Sequence, residues 1–312
     1  MAKVQTRYGV LDPVDHVATD PQGRVISCVP AARLTLATPL GPLTPQYMTD
    51  EARRPKVEPL MFHADGVLRN IALEEQTTVS TPAGRLPAEL LTFHPSGALH
   101  RVFPLNGKLS GYWGLKEESS LAAPLAISTP AGLIEAKLVG LRFFASGALA
   151  GLTLWPGETV DINTPLGSKQ ARIGLTFHQS GALRSFEPAA PIPVPTPLGL
   201  IEAFDPHAQG IHGDSNSLNF AEDGRVVSLA TPANTVSVTG PDGQTRTFAP
   251  DTVPNLCDEM IKDIVALRIY FSPDAVRFGG PGQESFDLTS NRFAVGRLLV
   301  AAFAPVNYEC EM

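Results

Sequence analysis

The nonapeptide Leu91-Thr-Phe-His-Pro-Ser-Gly-Ala-Leu99 decides the fold, because variants of it recur along the chain. Its pattern is Leu-x-Phe, two variable residues, Ser or Asp, Gly, one variable residue, and Leu or Val. Further copies occupy residues 60–68, 141–149, 175–183 and 218–226, with degenerate ones at residues 19–25 and 269–275. The Ser/Asp-Gly ending is typical of a hairpin turn with a bulge glycine in the left-handed conformation. The repetition therefore predicts a series of β-hairpins.

A second phrase, Thr-Pro-x-Gly, alternates with the first. Proline at the second position and glycine at the fourth are typical of a type I turn. Its copies begin at Thr38, Thr81, Thr129, Thr164 and Thr196. A sixth copy, Thr231-Pro-Ala-Asn234, has Asn in place of Gly, and Asn also tolerates the left-handed region. This phrase predicts a second turn in each repeat.

The residues between the two turns alternate as in a half-buried strand. Ala171, Ile173, Leu175 and Phe177 are apolar at every second position, with polar residues or glycine between them. After the glycine of the first phrase, the next two apolar positions lie three residues apart, as in Leu99 and Val102. That spacing breaks the strand period and predicts a bulge beside the turn.

These patterns predict an all-β fold in which antiparallel hairpin repeats form an elongated, twisted, solenoid-like sheet with one short C-terminal helix. We expect a β-hairpin repeat region of about six units over residues 1–250 and a C-terminal capping segment with helix and strands over residues 251–312. The helix is predicted over Asn255–Leu267. Asn255 would cap it, acidic residues occupy its first turn, and apolar residues recur on one face.

The composition excludes several classes of protein. The chain has 312 residues, of which 43% are hydrophobic and 18% charged, enough apolar material for a sizeable core. A net charge of −7 argues against nucleic-acid binding. No apolar run approaches the length of a membrane span, and the first residues lack the apolar region of a signal peptide. We therefore expect a cytoplasmic protein.

The sequence also predicts neither a metal site nor a cofactor. Cys28, Cys257 and Cys310 form no CxxC pair and no even framework, which favours reduced thiols that pack as small hydrophobic groups. No GxGxxG, Walker, HExxH or GxSxG motif occurs. Local motifs thus favour a protein that is not an enzyme, although catalytic residues can converge from distant strands.

The first phrase resembles the hairpin repeats of the MORN type, especially their shorter variant. Residues 93–99 and 220–226 carry this likeness, and residues 19–25 resemble the tyrosine–aspartate repeats of large bacterial shell proteins more weakly. The resemblance spans roughly residues 19–275 through short phrases only. It implies a binding or assembly surface.

Three insertions interrupt the repeat, at Pro42–Lys56, Leu105–Glu118 and Phe204–Ser217. The second contains Tyr112 and Trp113 among glycines, which favours a ring pair that stacks on a sugar or a peptide. We expect Lys108, Tyr112, Trp113 and Lys116 to form the binding site, with at least one ring exposed. The alternative is a longer hairpin whose rings cover the edge of the sheet.

Histidines suggest two further hypotheses. The third insertion contains His207, His212 and Asp214, residue types that can bind a metal ion, in a loop without further ligands. His63, His94 and His178 each follow the Phe of the first phrase. They are either turn residues inherited from one ancestral unit or a row for metal or proton chemistry.

We expect a non-enzymatic repeat scaffold that presents a binding surface for a protein or another ligand. A protein partner is the favoured one. The alternative is a polysaccharide-active or other hydrolase with its site assembled on the insertions, which would require two carboxylates in one cleft.

Overall fold

The fold is all-β and built from antiparallel hairpins. The computed structural model describes residues 2–208, 216–255, 262–279 and 283–298. These residues form 28 strands, β1–β28, and one helix, α1. The chain divides into two compact units, Met1–Trp155 and Pro156–Met312. The predicted separation into repeat region and cap at residue 250 stays a prediction, since the hairpins are shared between both units.

The first unit contains a nine-stranded antiparallel sheet in which nearly every strand pairs with the next one along the chain. Its strands are β1 (Ala2–Thr6), β2 (Gly9–Thr19), β3 (Val25–Pro30), β6 (Leu60–Phe62), β7 (Leu68–Thr81), β8 (Gly84–Phe93), β9 (Leu99–Phe103), β12 (Leu138–Phe143) and β13 (Leu149–Leu154). Two further hairpins interrupt the series: β4 (Leu36–Thr38) with β5 (Gly41–Leu43), and β10 (Leu125–Thr129) with β11 (Gly132–Ala136). Helix α1 (Leu115–Leu121) precedes the second of them.

The second unit repeats this plan with eight strands in its main sheet. These are β14 (Thr159–Thr164), β15 (Gly167–Phe177), β16 (Leu183–Pro188), β19 (Leu218–Phe220), β20 (Val226–Thr231), β25 (Leu267–Phe271), β26 (Ala275–Phe278) and β27 (Ser285–Asp287). Smaller sheets join β17 (Ile192–Thr196) to β18 (Gly199–Ala203), β23 (Asp251–Pro254) to β24 (Lys262–Val265), and β21 (Asn234–Thr239) to both β22 (Thr245–Phe248) and β28 (Arg292–Arg297).

Each main sheet buries one row of directly paired apolar side chains. In the first unit the row runs Ile71, Leu91, Val102, Leu141 and Leu152, each at most 2% exposed. In the second it runs Leu175, Phe186, Leu218, Leu229, Ile269 and Phe278, each at most 3% exposed. Because directly paired residues of an antiparallel sheet point to the same side, each row forms a continuous strip of core.

The first phrase forms the predicted hairpin turn and bulge. All five glycines predicted to adopt positive φ do so, at values from 80° (Gly66) to 92° (Gly181). Directly after each turn the register shifts by one residue, as between Thr92/Arg101 and Phe93/Leu99, which leaves His100 as the extra residue. The same shift occurs after the turns at residues 19–25, 60–68, 141–149, 175–183 and 218–226. The bulge explains why apolar positions three residues apart share the buried face.

The Thr-Pro-x-Gly phrase closes a second set of hairpins with a recurrent hydroxyl contact. In each of the five copies ending in Gly, the Thr hydroxyl donates to the Gly carbonyl at 2.7–2.8 Å and accepts from the N–H of the third residue. Thr6-Arg-Tyr-Gly9 makes the same two contacts, and its lack of Pro concealed it from sequence analysis.

The expectation for Asn234 is wrong, because Asn234 is absent from the non-glycine residues with positive φ. Its side chain is instead used as a bridge between strands. Its Oδ1 accepts from the N–H of Glu202 at 2.8 Å, and its Nδ2 donates to the carbonyl of Gly296 at 3.2 Å. The hydroxyl of Thr231 still accepts from the N–H of Ala233 at 3.4 Å, as in the other five copies.

The expected helix over Asn255–Leu267 is wrong in the part that the structure describes. Lys262–Val265 is strand β24, paired with β23, and Leu267, the last residue of the predicted helix, begins strand β25. Ile264 and Val265 are β-branched and favour the strand once a partner is available. Asn255 donates its amide to the carboxylate of Asp263 rather than capping a helix. Residues 256–261 lie outside the described residues.

Histidines connect successive hairpins through the first phrase. The Nε2 atom of His63 donates to the carbonyl of Phe93 at 3.0 Å, and that of His94 donates to the carbonyl of Phe143 at 3.0 Å. His178 bonds the carbonyl of Phe220 in the same way at 2.9 Å. The Phe side chains of all five full copies are buried. The recurrent His therefore has a structural role in joining one turn to the next.

We predict that replacing Gly224 by Ala destabilises the protein by about 2 kcal/mol, since a left-handed backbone disfavours a side chain. The φ of Gly224 is 84°, and an added Cβ would lie 3.3 Å from the Cβ of Pro165. Gly243 in the same unit has a φ of 78° with nothing within 4 Å. Gly243→Ala should therefore cost about 1 kcal/mol less than Gly224→Ala in urea unfolding. Equal losses in the free energy of unfolding for the two variants would contradict the packing of the turn at Gly224 against Pro165.

Candidate functional site

The structure brings together the first two insertions of the sequence, Pro42–Lys56 and Leu105–Glu118, at a single guanidinium. Arg53 from the first insertion donates from Nε and Nη2 to the carboxylate of Glu118 in the second, both at 2.8 Å. It also donates from Nη1 and Nη2 to Glu89 on β8, at 3.1 and 2.7 Å. The backbone N–H of Lys108 donates to the carbonyl of Arg53 at 2.9 Å. We call Arg53, Glu89 and Glu118 the buried ion cluster.

The carboxylates of the buried ion cluster are saturated by donors from the protein. Glu118 also accepts the indole N–H of Trp113 at 2.6 Å and the backbone N–H of Gly107 at 2.8 Å. Burial opposes its charge, but the bonds from Arg53, Trp113 and Gly107 outweigh burial and lower the pKa of Glu118. The same bonds to Glu118, against the effect of burial, raise the pKa of Arg53. Arg53 and Glu118 therefore remain charged at neutral pH.

Gly107 fits this arrangement because it has no side chain. An added Cβ would lie 2.1 Å from a carboxylate oxygen of Glu118, well inside van der Waals contact. Gly107 thus permits a close approach to Glu118, whereas Gly111 has nothing within 4 Å of an added Cβ.

The four predicted binding residues occupy different environments. Tyr112 is 90% exposed, as expected for at least one of the two rings. Trp113 is half-buried, and its indole is held by Glu118. Lys108 is exposed and forms an ion pair with Glu58. Lys116 is exposed on α1.

Sequence reasoning missed Arg53, Glu89 and Glu118, which support the loop. Arg53 and Glu118 lie within insertions that the repeat had already identified. The available signal was a set of charged residues interrupting otherwise apolar positions, such as Glu89 between Ala88 and Leu90 in a buried strand. Such positions hold a charge only when a partner is present.

The third insertion is attached in the second unit by a different buried carboxylate. Glu187 on β16 is fully buried. It accepts the N–H of Asp205 at 3.1 Å, and both the N–H and the hydroxyl of Ser217, at 2.6–2.8 Å. The guanidinium of Arg172 lies 3.8 Å away and donates to the carbonyl of Asp205 instead. Burial raises the pKa of Glu187 to about 7, even though these bonds favour the charged form.

The remaining candidates from the sequence have limited support. His212 and Asp214 lie outside the described residues, and His207 lies 3.9 Å from Asp263. Across the described ranges no group of three His, Cys, Asp or Glu side chains could hold a metal ion. Cys28 is a buried free thiol, and burial raises its pKa to about 11, which suits a packing role. Cys257 and Cys310 are outside the described residues.

Comparison with known proteins gives no family for this chain. No protein-family model matches it, and no curated protein matches it. The resemblance to MORN-type repeats therefore stays a prediction. The helix found in the described part of the chain has seven residues, and none there is long and apolar enough to cross a membrane.

We predict that Gly107→Ala disrupts the loop, because the new Cβ must displace the carboxylate of Glu118 from Arg53 and Trp113. Loss of a buried charge pair typically costs about 3 to 5 kcal/mol. Urea unfolding should show a loss of this order, and Trp113 fluorescence should report a changed environment. Gly111→Ala, in the same loop, should leave both measurements near wild type. A stable Gly107→Ala variant with unchanged fluorescence would refute the close approach.

We predict that ionisation of Glu187 destabilises the second unit as the pH rises. The pKa of Glu187 is raised from an ordinary value of 4.5 to about 7, so the folded state retains a proton that the unfolded state releases. The contribution of Glu187 to the free energy of unfolding is therefore fully present below pH 4.5. It is lost as the pH rises through 7, and the total loss is about 3 kcal/mol. Urea unfolding from pH 5 to pH 8 should show this decline in wild type and a flatter dependence in Glu187→Gln. If the free energy of unfolding depended on pH in the same way in both proteins, the raised pKa of Glu187 would be contradicted.

Proposed function

We propose that this chain is a non-enzymatic scaffold that binds a protein partner through the Leu105–Glu118 loop. The proposal depends on the difference in exposure between two neighbouring rings of that loop. Tyr112 is 90% exposed, while the residue beside it is fixed by the buried ion cluster. An exposed aromatic ring on a fixed base is typical of an interface anchor.

The loop is organised before it meets a partner. Glu118 holds the indole of Trp113, and the hydroxyl of Ser110 accepts the N–H groups of Tyr112 and Trp113 at 3.2 Å. Binding then requires little further ordering of the backbone. Preorganisation of this kind improves affinity, because less conformational entropy is lost on association.

The exposed side chains of the loop indicate the chemistry of the partner. Leu109 is 63% exposed and Leu115 is 40% exposed, on either side of Tyr112 in the sequence. Lys116 adds an exposed positive charge, whereas Lys108 is already paired with Glu58. We therefore propose a protein surface with an apolar pocket for Tyr112 and an acidic group at its rim for Lys116.

The hydrolase alternative requires two carboxylates that face a substrate. The insertions do bring Glu89 and Glu118 together, since both bind Arg53. Both are buried and accept bonds from the protein, and the lowered pKa of Glu118 leaves it without a proton to donate at neutral pH. This pair therefore favours the scaffold. A cytoplasmic location, proposed from the sequence, agrees with the buried free thiol of Cys28.

The test places a photoreactive phenylalanine analogue at position 112 in the native host. A matched control places it at position 133, where Leu133 is 71% exposed in the same unit. We expect a discrete cross-linked protein at position 112 and none at position 133. With that protein purified, Tyr112→Ala should weaken binding at least tenfold, about 1.4 kcal/mol, without lowering the melting temperature.

Leu133→Ala should bind that purified protein as wild type does. Equal cross-linking at both positions, or unchanged binding by Tyr112→Ala, would contradict the proposed surface. Release of reducing sugar from polysaccharides by the purified wild-type chain would support the hydrolase instead.

A further inference from the structure

Two buried side chains beside the buried ion cluster have hydrogen-bond donors that no acceptor satisfies. Arg54 in the first insertion is 8% exposed, and Asn106 in the second is 9% exposed. Nε and Nη2 of Arg54 and Nδ2 of Asn106 have no hydrogen-bond partner in the part of the chain that the structure describes. Because a buried donor without an acceptor costs free energy, these three atoms indicate an acceptor from outside that part of the chain.

Glu89 on β8 relates the two side chains to each other. Its carboxylate accepts the backbone N–H of Asn106 at 2.8 Å, and its negative charge acts on Arg54. Opposite Glu89 the register of β7 shifts at residues 73–76, and there the carbonyl of Glu74 accepts from Nη1 of Arg54 at 3.2 Å. Both side chains thus lie where the first two insertions meet β7 and β8. We call Arg54, Glu74, Glu89 and Asn106 the insertion junction.

The unsatisfied donors of Arg54 form one edge of its guanidinium. The N–H groups of Nε and Nη2 lie side by side, and this fork matches the two oxygens of a carboxylate. Arg53 shows the match within the same protein, because its Nε and Nη2 bind the two carboxylate oxygens of Glu118, both at 2.8 Å. Arg54 therefore offers the edge with which the preceding arginine holds a carboxylate.

The carboxylates whose charges act on Arg54 bind other donors. Glu89 accepts from Arg53, Glu58 forms an ion pair with a lysine, and the carboxylate of Glu74 accepts two backbone N–H groups. Burial lowers the pKa of Arg54, and the charges of these carboxylates oppose that effect only in part. A buried guanidinium is stable when an anion neutralises it, so a further carboxylate would stabilise Arg54.

We propose that the insertion junction binds a small monocarboxylate, of the size of formate or acetate. The fork of Arg54 would hold both oxygens, and Nδ2 of Asn106 would donate a third hydrogen bond. A free acid is favoured over an acidic side chain of another protein, because the three donor atoms have almost no exposed surface. Pro55 and Lys56 are exposed, so Arg54 lies close beneath the surface of the first insertion. This site does not depend on the proposed protein partner.

The experiment follows the Nε–H resonance of Arg54 by NMR, assigned by its loss in Arg54→Lys. Sodium formate and sodium acetate are compared with sodium chloride at equal ionic strength and constant pH. The amide-blocked amino acid N-acetylglutamate α-amide stands in for a protein side chain. We expect a saturable shift with formate or acetate alone, and a rise in melting temperature with the same acid, because a ligand of the folded state stabilises it. Saturation by the blocked glutamate instead would overturn the proposal of a small free acid.

Variants distinguish a carboxylate site from a general effect of salt. The affinity for acetate, measured from the rise in melting temperature, should fall about tenfold or more in Arg54→Lys, because Lys keeps the charge but lacks the fork. Asn106→Ala should lower it less, since only one uncharged donor is removed. Arg85 is exposed on β8, so Arg85→Lys should bind acetate as wild type does.

An affinity for acetate in Arg54→Lys equal to that of wild type would overturn the proposal. Should that variant fail to fold, the wild-type titration decides the question. Equal spectra and equal melting temperatures in acetate, formate and chloride would mean that water alone satisfies these donors, and the proposal would be wrong.

Discussion

The bulge that follows each Ser/Asp-Gly turn determines which side chains of the sheet become core. Without the extra residue at the bulge, Leu99 and Val102 would point to opposite faces, because side chains alternate along a regular strand. With it, both are buried, and the equivalent pairs of the neighbouring hairpins extend the same apolar row. The glycine before each bulge has positive φ, a conformation that side chains disfavour. The burial of both sheets thus depends on these glycines.

Buried carboxylates attach the insertions to this framework in both units, with opposite electrostatic results. Glu118 receives two bonds from the guanidinium of Arg53, and its pKa is lowered. Glu187 accepts hydrogen bonds from the backbone N–H groups of Ser217 and Asp205, which carry no charge. The guanidinium of Arg172 lies 3.8 Å away. Burial then dominates, and the pKa of Glu187 is raised to about 7. The bonds of Glu118 are therefore insensitive to pH near neutrality, whereas those of Glu187 are sensitive to it.

The proposed binding surface depends on an interruption of the repeat. The loop that carries Tyr112 lies between repeated hairpins, so its exposed ring is free of the packing that buries the Phe of each copy. Such positions can vary without loss of the fold, which makes them suitable for recognition.

The sequence alone determined the hairpins, the turn glycines and the bulges, because these depend on residues within nine positions of one another. It located the insertions by their departure from the repeat, and it identified Tyr112 as a residue that the repeat does not require. Tertiary structure decided what local patterns cannot specify. The segment Lys262–Val265 is a strand rather than a helix because β23 pairs with it. Arg53 and Glu118 meet although 65 residues separate them, since only the folded sheet brings the two insertions within hydrogen-bonding distance.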